Sequence, residues 1–214
     1  MTSPPLPVRN LGFDDIEIVG TNIKLRPMTP ADADAAWDLV HDNREILKWL
    51  LWDGPTDKTE FARRYAEDFP EDMRQGRSYR FAIEPLAGPE FAGSISVKLP
   101  YYPNSADLGY WLGIPFWNRG YMTEAIGLAC YFAFTCLDCV RVSSTVFTDN
   151  MASRRALEKN GFIVDGQLRR DVFKYGRWQD TYFMTLLSEE WCRSRFEPVS
   201  IRLTPHVEPP GTAA

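Results

Sequence analysis

The chain is poor in the residues that most often carry metal and nucleophilic chemistry. Of its 214 residues, two are histidine and four are cysteine. His41 falls in a stretch of helical spacing and His206 in a proline-rich tail. No G-x-S-x-G elbow is present, so a histidine-dependent hydrolase is disfavoured. Cys130, Cys136, Cys139 and Cys192 include one C-x-x-C, but no second Cys/His pair follows at metal-site spacing. These thiols are expected to stay free, three of them packed in a helix, which implies a reducing compartment and no metal. A Gly-rich Lys-Ser/Thr turn and a G-x-G-x-x-G after a strand are both missing, which excludes two common nucleotide-binding designs. Positive charge is not in excess: the net charge is −5, so no nucleic-acid partner is expected. Long apolar runs are missing too. The longest uncharged one, 125–137, falls short of the roughly 20 residues of a membrane span. The opening MTSPPLPVRN lacks the apolar core of a signal peptide. The expectation is a cytoplasmic protein with no membrane contact.

What is present suffices for a core: 44% of residues are hydrophobic and 14% aromatic. We expect a loose segment over 1–12, one domain over 13–197 and a proline-rich tail over 198–214. Ile16–Ile18 and Ile23–Leu25 alternate across Gly20-Thr21-Asn22 and read as extended chain around a turn. Thr29-Pro30 predicts a capped helix start. A short helix is expected over 44–51 and a longer one over 56–73, with Phe61, Tyr65 and Phe69 on one face. Strand patterns follow at 79–83 and 90–99, joined as a hairpin, and again at 107–112. The residues 123–137 read as a buried helix and 140–148 as a β-branched strand. Asn150 caps a helix that stops at Lys159-Asn160-Gly161. Two more strands are expected at 162–170 and 178–187. A strand-helix-strand unit inside a mostly antiparallel series implies a mixed α/β sheet with helices on its faces.

Three segments carry chemistry. Pro115-Phe116-Trp117-Asn118-Arg119-Gly120-Tyr121-Met122-Thr123-Glu124-Ala125 joins a strand to a helix N-terminus. Such a turn holds anions, because the first helical N–H groups lack intrahelical partners and the dipole adds positive potential. Gly120 permits close backbone approach, and Arg119 can add charge. An ordinary strand-to-helix turn has the same features. The second segment, Thr148 to Phe162, presents Asn150 and Ser153 at a helix start, where capping is the plain reading. The third, Asp107-Leu108-Gly109-Tyr110-Trp111-Leu112, has a glycine inside a strand, which marks a bulge or a close approach.

Together with Asn22-Ile23-Lys24-Leu25-Arg26-Pro27, these segments resemble the GNAT superfamily of acyl-CoA-dependent N-acyltransferases. The nearest branch is that of the ribosomal-protein N-terminal (alanine/serine) acetyltransferases. Trp117 is usual in that branch, whereas Met122 is bulkier than the glycine or alanine of the general turn pattern. The resemblance implies a mostly antiparallel sheet of about seven strands, splayed between the fourth and fifth, with helices on both faces. It implies acetyl-CoA as co-substrate and, as acceptor, a primary amine on a protein N-terminus or a small molecule. A homodimer and a non-catalytic acyl-CoA-binding module on the same fold stay open as alternatives.

The resemblance also implies roles. Backbone N–H groups of Asn118, Arg119, Gly120, Tyr121, Met122 and Thr123 would cradle the pyrophosphate. Trp111, Leu112, Gly113 and Ile114 would line the pantetheine arm, with Asn150 as a further contact. The Leu112 N–H would face the oxyanion, and Ser153 would serve the leaving thiolate. Asp107 ranks first as base, then Glu84, with Asp171 and Asp180 behind. Tyr121 and Tyr131 are further hydroxyl donors. Trp49, Trp52, Tyr79, Tyr101, Tyr102, Phe173, Tyr175 and Trp178 are candidates for an acceptor pocket.

Overall fold

Alternating apolar residues form the strands of one mixed sheet in the computed structural model, which describes residues 11–88, 91–100, 104–192 and 197–207. The strands are β1 (Phe13–Val19), β2 (Ile23–Pro27), β3 (Ser78–Pro85), β4 (Gly93–Lys98), β5 (Ser105–Leu112), β6 (Arg141–Phe147), β7 (Ile163–Lys174), β8 (Arg177–Leu187) and β9 (Ser200–Pro205). Their order across the sheet is β7-β8-β6-β5-β4-β3-β2-β1-β9. Neighbours are antiparallel except β5 and β6, which run parallel because the chain between them crosses over as a helix.

The sheet has nine strands, two more than expected. One is β9, in the segment read above as a tail. Ser200–Pro205 pairs antiparallel with Val19–Phe13 and covers what would be an open edge. The expectation of a loose 1–12 and the rest of the tail lie mostly outside the described residues.

Each face of the sheet has its own core. On one face Ile16, Phe81, Ile83, Ile95 and Leu108 pack under α5 (Tyr121–Tyr131) and α6 (Met151–Glu158). On the other, Ala82 packs under α1 (Asp32–Val40), α2 (Arg44–Leu47), α3 (Lys58–Arg63) and α4 (Phe69–Arg74). Two-residue periodicity explains the division: Phe81 and Ala82 point to opposite sides.

Four helices differ from the sequence expectation, among them the one expected over 123–137, which starts at Tyr121 and widens to i→i+5 bonding over Phe132–Cys136. α1 starts at Asp32 rather than at Thr29-Pro30 and has no side-chain cap. The Thr29 hydroxyl and N–H both donate to Asp32 Oδ2, at 2.9 and 2.8 Å. Asp32 is also gripped by Arg26, whose Nη1 and Nη2 each lie 2.8 Å from a carboxylate oxygen. α2 ends at Leu47, a turn early. The helix expected over 56–73 is interrupted: residues Arg64–Asp68 widen to i→i+5 bonding, and the Phe69 N–H bonds the Arg64 carbonyl. Pro70 explains this. It has no N–H to continue the i→i+4 ladder, and its ring crowds the preceding turn.

Candidate active site

The parallel pairing of β5 with β6 covers only Ser105–Asp107 against Arg141–Ser143. Ser144 Oγ still reaches the Leu108 carbonyl at 3.1 Å. Beyond that point both strands continue without pairing to each other, so the sheet opens in a V. The splay therefore lies between the fifth and sixth strands, not the fourth and fifth. β4 and β5 are paired along their whole length, from Gly93↔Leu112 to Lys98↔Asp107. The N-terminal hairpin is two full strands, and this shifts the count.

Strand geometry decides which backbone groups face the V. Gly113 donates its N–H to Ala92 at 2.8 Å, on the β4 side. In an antiparallel ladder these groups alternate in direction. The Leu112 N–H accordingly points to the opposite edge, toward the gap left by β6. The Leu112 carbonyl accepts from Trp117 Nε1 at 2.8 Å. Trp117 thus staples the end of β5 to the turn that follows.

That turn is built from unusual backbone. Asn118 has φ +59° and Gly120 φ +81°. Gly120 is the N-cap residue of α5, and the first intrahelical bond runs from Glu124 N–H to Gly120 O at 3.1 Å. The N–H groups of Tyr121, Met122 and Thr123 precede it and have no helical acceptor. A Cβ added to Gly120 would meet nothing within 4 Å, so the space in front of these donors is open. Arg119 is exposed beside them, its guanidinium 6.0 Å from the Phe116 ring. Met122 packs its side chain against the core, so its bulk points away from the donors. Thr123 does not cap the helix. It lies in the first turn, and its carbonyl accepts from Asn160 Nδ2 at 3.0 Å, which ties the end of α6 to the start of α5. Glu124 accepts from the N–H groups of Thr21 and Asn22 at 2.5 and 2.9 Å, clamping the β1–β2 turn.

α6 forms the other wall. Asn150 Oδ1 accepts from the Ser153 N–H at 3.2 Å, a side-chain cap. The Ser153 hydroxyl is separately engaged: its Oγ lies 2.8 Å from the hydroxyl of Tyr110 on β5. Tyr110 bridges the V, and burial pushes its phenol up to about 12, against the pull of the Ser153 and Ser144 hydroxyls. The phenol is neutral at neutral pH, and either hydroxyl can be the donor of this pair. The sequence reading missed Tyr110. Its signal was a polar-tipped residue in register with apolar Leu108 and Leu112, on the core side of the strand.

Of the carboxylates, Asp107 lies near the closed end of the V, with Ser143 Oγ at 3.4 Å. Burial raises its pKa, against Lys98 and Ser143. Glu84 behaves oppositely. Burial pushes it up, but Lys24 at 2.8 Å and Arg26 at 2.6 Å outweigh this and hold it ionised. Asp171 accepts from Thr181, and Asp180 from the Arg170 N–H and Gln167, on the β7–β8 hairpin. Tyr131 is buried against Trp191, and Tyr121 packs on the core. Tyr79 is fully buried, its hydroxyl bonded to the Leu11 carbonyl, so it lines no acceptor pocket. Lys174 ties β7 to the loop after α2 through the Leu50 and Trp52 carbonyls, at 2.6 and 2.7 Å. Trp49 lies 6.5 Å from Phe147 at the end of β6. Tyr101 and Tyr102 lie outside the described residues. Cys136 and Cys139 remain free thiols, which burial pushes up to about 11 and about 12. Among the described residues no cluster of His, Cys, Asp or Glu could hold a metal, and no helix is long and apolar enough to cross a membrane.

Residues 22–163 match the family model described as an acetyltransferase (GNAT) domain. The chain is 29% identical over 177 residues to YdaF of Bacillus subtilis, a protein whose name is that of a ribosomal N-acetyltransferase; the match covers 81% of this chain and 95% of that one. It superposes on RimJ of Mycobacterium smegmatis, solved in complex with CoA-disulfide, with a TM-score of 0.69 and 25% identity, over 83% and 88% of the two chains. A spermidine N-acetyltransferase of Vibrio cholerae, solved with CoA and spermine, shares the fold with a TM-score of 0.70 and 21% identity, over 79% and 97%.

Proposed function

Because the chain belongs to the acetyltransferase (GNAT) domain family, we propose how its residues divide the work of an N-acetyltransferase. The activity is acetyl transfer to an amine, with acetyl-CoA as co-substrate. Acetyl-CoA supplies an activated thioester, and the rest of the chemistry falls to the chain. The N–H groups of Tyr121, Met122 and Thr123 take the pyrophosphate, aided by the α5 dipole and Arg119. The open space before Gly120 fits such a group. The edge of β5 from Trp111 to Ile114 and the cap residue Asn150 line the arm that leads into the V.

Leu112 then offers its N–H to the oxygen that gains negative charge as the amine adds. A protonated amine has no lone pair, and the proton it must lose passes to Asp107 through water, because Asp107 stands five residues from Leu112, roughly 16 Å along an extended strand. Ser153 donates a hydrogen bond to the sulfur as it departs as thiolate, and Tyr110 donates to Ser153. Tyr110 is thus a positioning residue that keeps the Ser153 proton aimed at sulfur. The observation that carries this reading is the Tyr110–Ser153 pair at 2.8 Å inside the splay.

The acceptor we propose is an α-amino group at a protein N-terminus. The name of YdaF, that of a ribosomal N-acetyltransferase, supports an amine on a ribosomal component as acceptor. The spermidine enzyme supports the wider statement that the fold serves primary amines.

A double-mutant cycle tests the assignment. Release of CoA thiol is followed with acetyl-CoA and a peptide acceptor. Ser153→Ala and Tyr110→Phe are each expected to lower kcat about 10-fold, with the KM for acetyl-CoA changed less than about 3-fold. The double variant should be no slower than Ser153→Ala alone. Additive losses would return Tyr110 to packing and Ser153 to its cap.

A further inference from the structure

The sheet face opposite α5 and α6 carries two sets of charges that are treated differently. In the first set Arg26 and Lys24 are matched with Asp32 and Glu84, at 2.6 to 2.8 Å. Two cations meet two carboxylates and the set closes. In the second set Arg64, Arg80 and Lys98 stand together, and none of the three forms an ion pair among the described residues. Arg64 and Arg80 place their guanidinium carbons 5.3 and 4.6 Å from the ring of Phe69. Arg80 Nε is buried without a hydrogen-bond partner. The nearby Asp72 is already held by Arg77, at 2.8 Å. Burial, then the neighbouring cations, lowers the pKa of both Arg80 and Lys98, against Asp72 beside Arg80 and Asp107 beside Lys98.

Register shows where this charge is directed. Arg80, Ser96 and Gly109 form one row across β3, β4 and β5, and Lys98 lies opposite Asp107 in the next. Lys98 leans back over the first row: its Nζ is 4.0 Å from the point a Cβ on Gly109 would occupy, and Ser96 Oγ is 3.3 Å from that point. The missing side chain at 109 leaves room for the ammonium on the strand that borders the V. Asp72 and Asp107 offset these three cations only in part; an undercompensated group of cations is costly, and an arriving anion relieves the cost. A polycation entering here meets repulsion instead.

We propose that Lys98, backed by Arg80 and Arg64, is a carboxylate subsite of the acceptor cleft, and that the preferred acceptors are amines carrying an acidic group. The inference rests on the reading of Leu112 as the group beside the reacting centre. Gly109 is three residues before Leu112, roughly 10 Å along an extended strand. An extended peptide spans that distance in about three residues. The acidic group is therefore expected on the second or third residue of an N-terminal peptide, or at the end of a small amine of similar reach.

The test compares acceptors matched in all but charge. Peptides with Glu at positions two and three are set against the same peptides with Gln, alongside spermine and a short ω-amino acid with its amide. Acetyl-CoA binding is measured separately by calorimetry without acceptor. The Glu peptide should exceed the Gln peptide in kcat/KM by at least 10-fold, with spermine poorest, and added salt should shrink the gap. Lys98→Met, which keeps the stem and removes the charge, should bring the ratio to within about 2-fold of one, and Lys98→Glu should invert it. The ω-amino acid against its amide separates small from peptide sources of the carboxylate. Equal rates for Glu and Gln peptides, or a preference that survives Lys98→Met, would overturn the proposal. So would binding of acetyl-CoA with no turnover of either peptide. Failure to bind acetyl-CoA would strike the underlying site assignment instead.

Discussion

Asp107 shows how a residue's neighbourhood turns a residue type into a role. The sequence offered it for its place at the head of a strand, and three other carboxylates competed. Packing separates them, since Glu84 is neutralised by two cations whereas Asp107 has only Ser143 and a more distant Lys98. As the proposed base, with its pKa raised by burial, Asp107 would accept a proton only above that raised value. The rate should therefore climb with pH through a limb lying above the ordinary aspartate value. The acceptor amine, with an α-amino pKa of about 7.7–8.0, adds a second limb at higher pH. In a profile of kcat against pH, Asp107→Asn is expected to remove the lower limb and to cost about 100-fold. Persistence of that limb in the variant would move the base elsewhere. Ser153 was legible because serine after a capping asparagine is a local pattern. Tyr110 was not, because its partner lies 43 positions away and only the parallel crossover brings them together.

At the scale of elements, the turn before α5 was the most legible feature, since proline, glycine and a helix start are local signals. What could not be read was the direction of each side chain. Met122 seemed a threat to the anion cradle, yet it turns inward because the core face of α5 lies on that side. The helix begins two residues before the expected position 123, because Gly120 in its left-handed conformation already starts it. Substitution at Gly120 separates charge from strain. Gly120→Ala brings only the left-handed penalty, roughly 1–2 kcal/mol. Gly120→Glu adds a carboxylate beside the free N–H groups. The KM for acetyl-CoA is expected to rise at least 10-fold in the Glu variant and no more than about 3-fold in the Ala variant. Equal values would leave strain as the whole effect. The interrupted helix over 58–74 was half legible: Phe61, Tyr65 and Phe69 gave the face, and Pro70 was the overlooked breaker.

For the whole molecule, the order of elements was readable and their lateral arrangement was less so. Period-2 stretches gave the central strands, but β9 was hidden. Its pattern is almost wholly exposed, and it gains its place from the free edge of β1 rather than from its own apolar residues. The splay was expected on the correct strand and appears one pair later in the count, because the N-terminal hairpin contributes two strands. These features converge on one place: the V between β5 and β6, with α5 at its mouth and α6 along its side. Titrating the isotope-labelled protein with acetyl-CoA, and following backbone amide resonances, tests that convergence most directly. The account predicts the largest shifts at Leu112, Gly120, Tyr121, Met122 and Thr123, with Ser153 close behind. Saturable binding that leaves these amides unmoved and shifts others would contradict it.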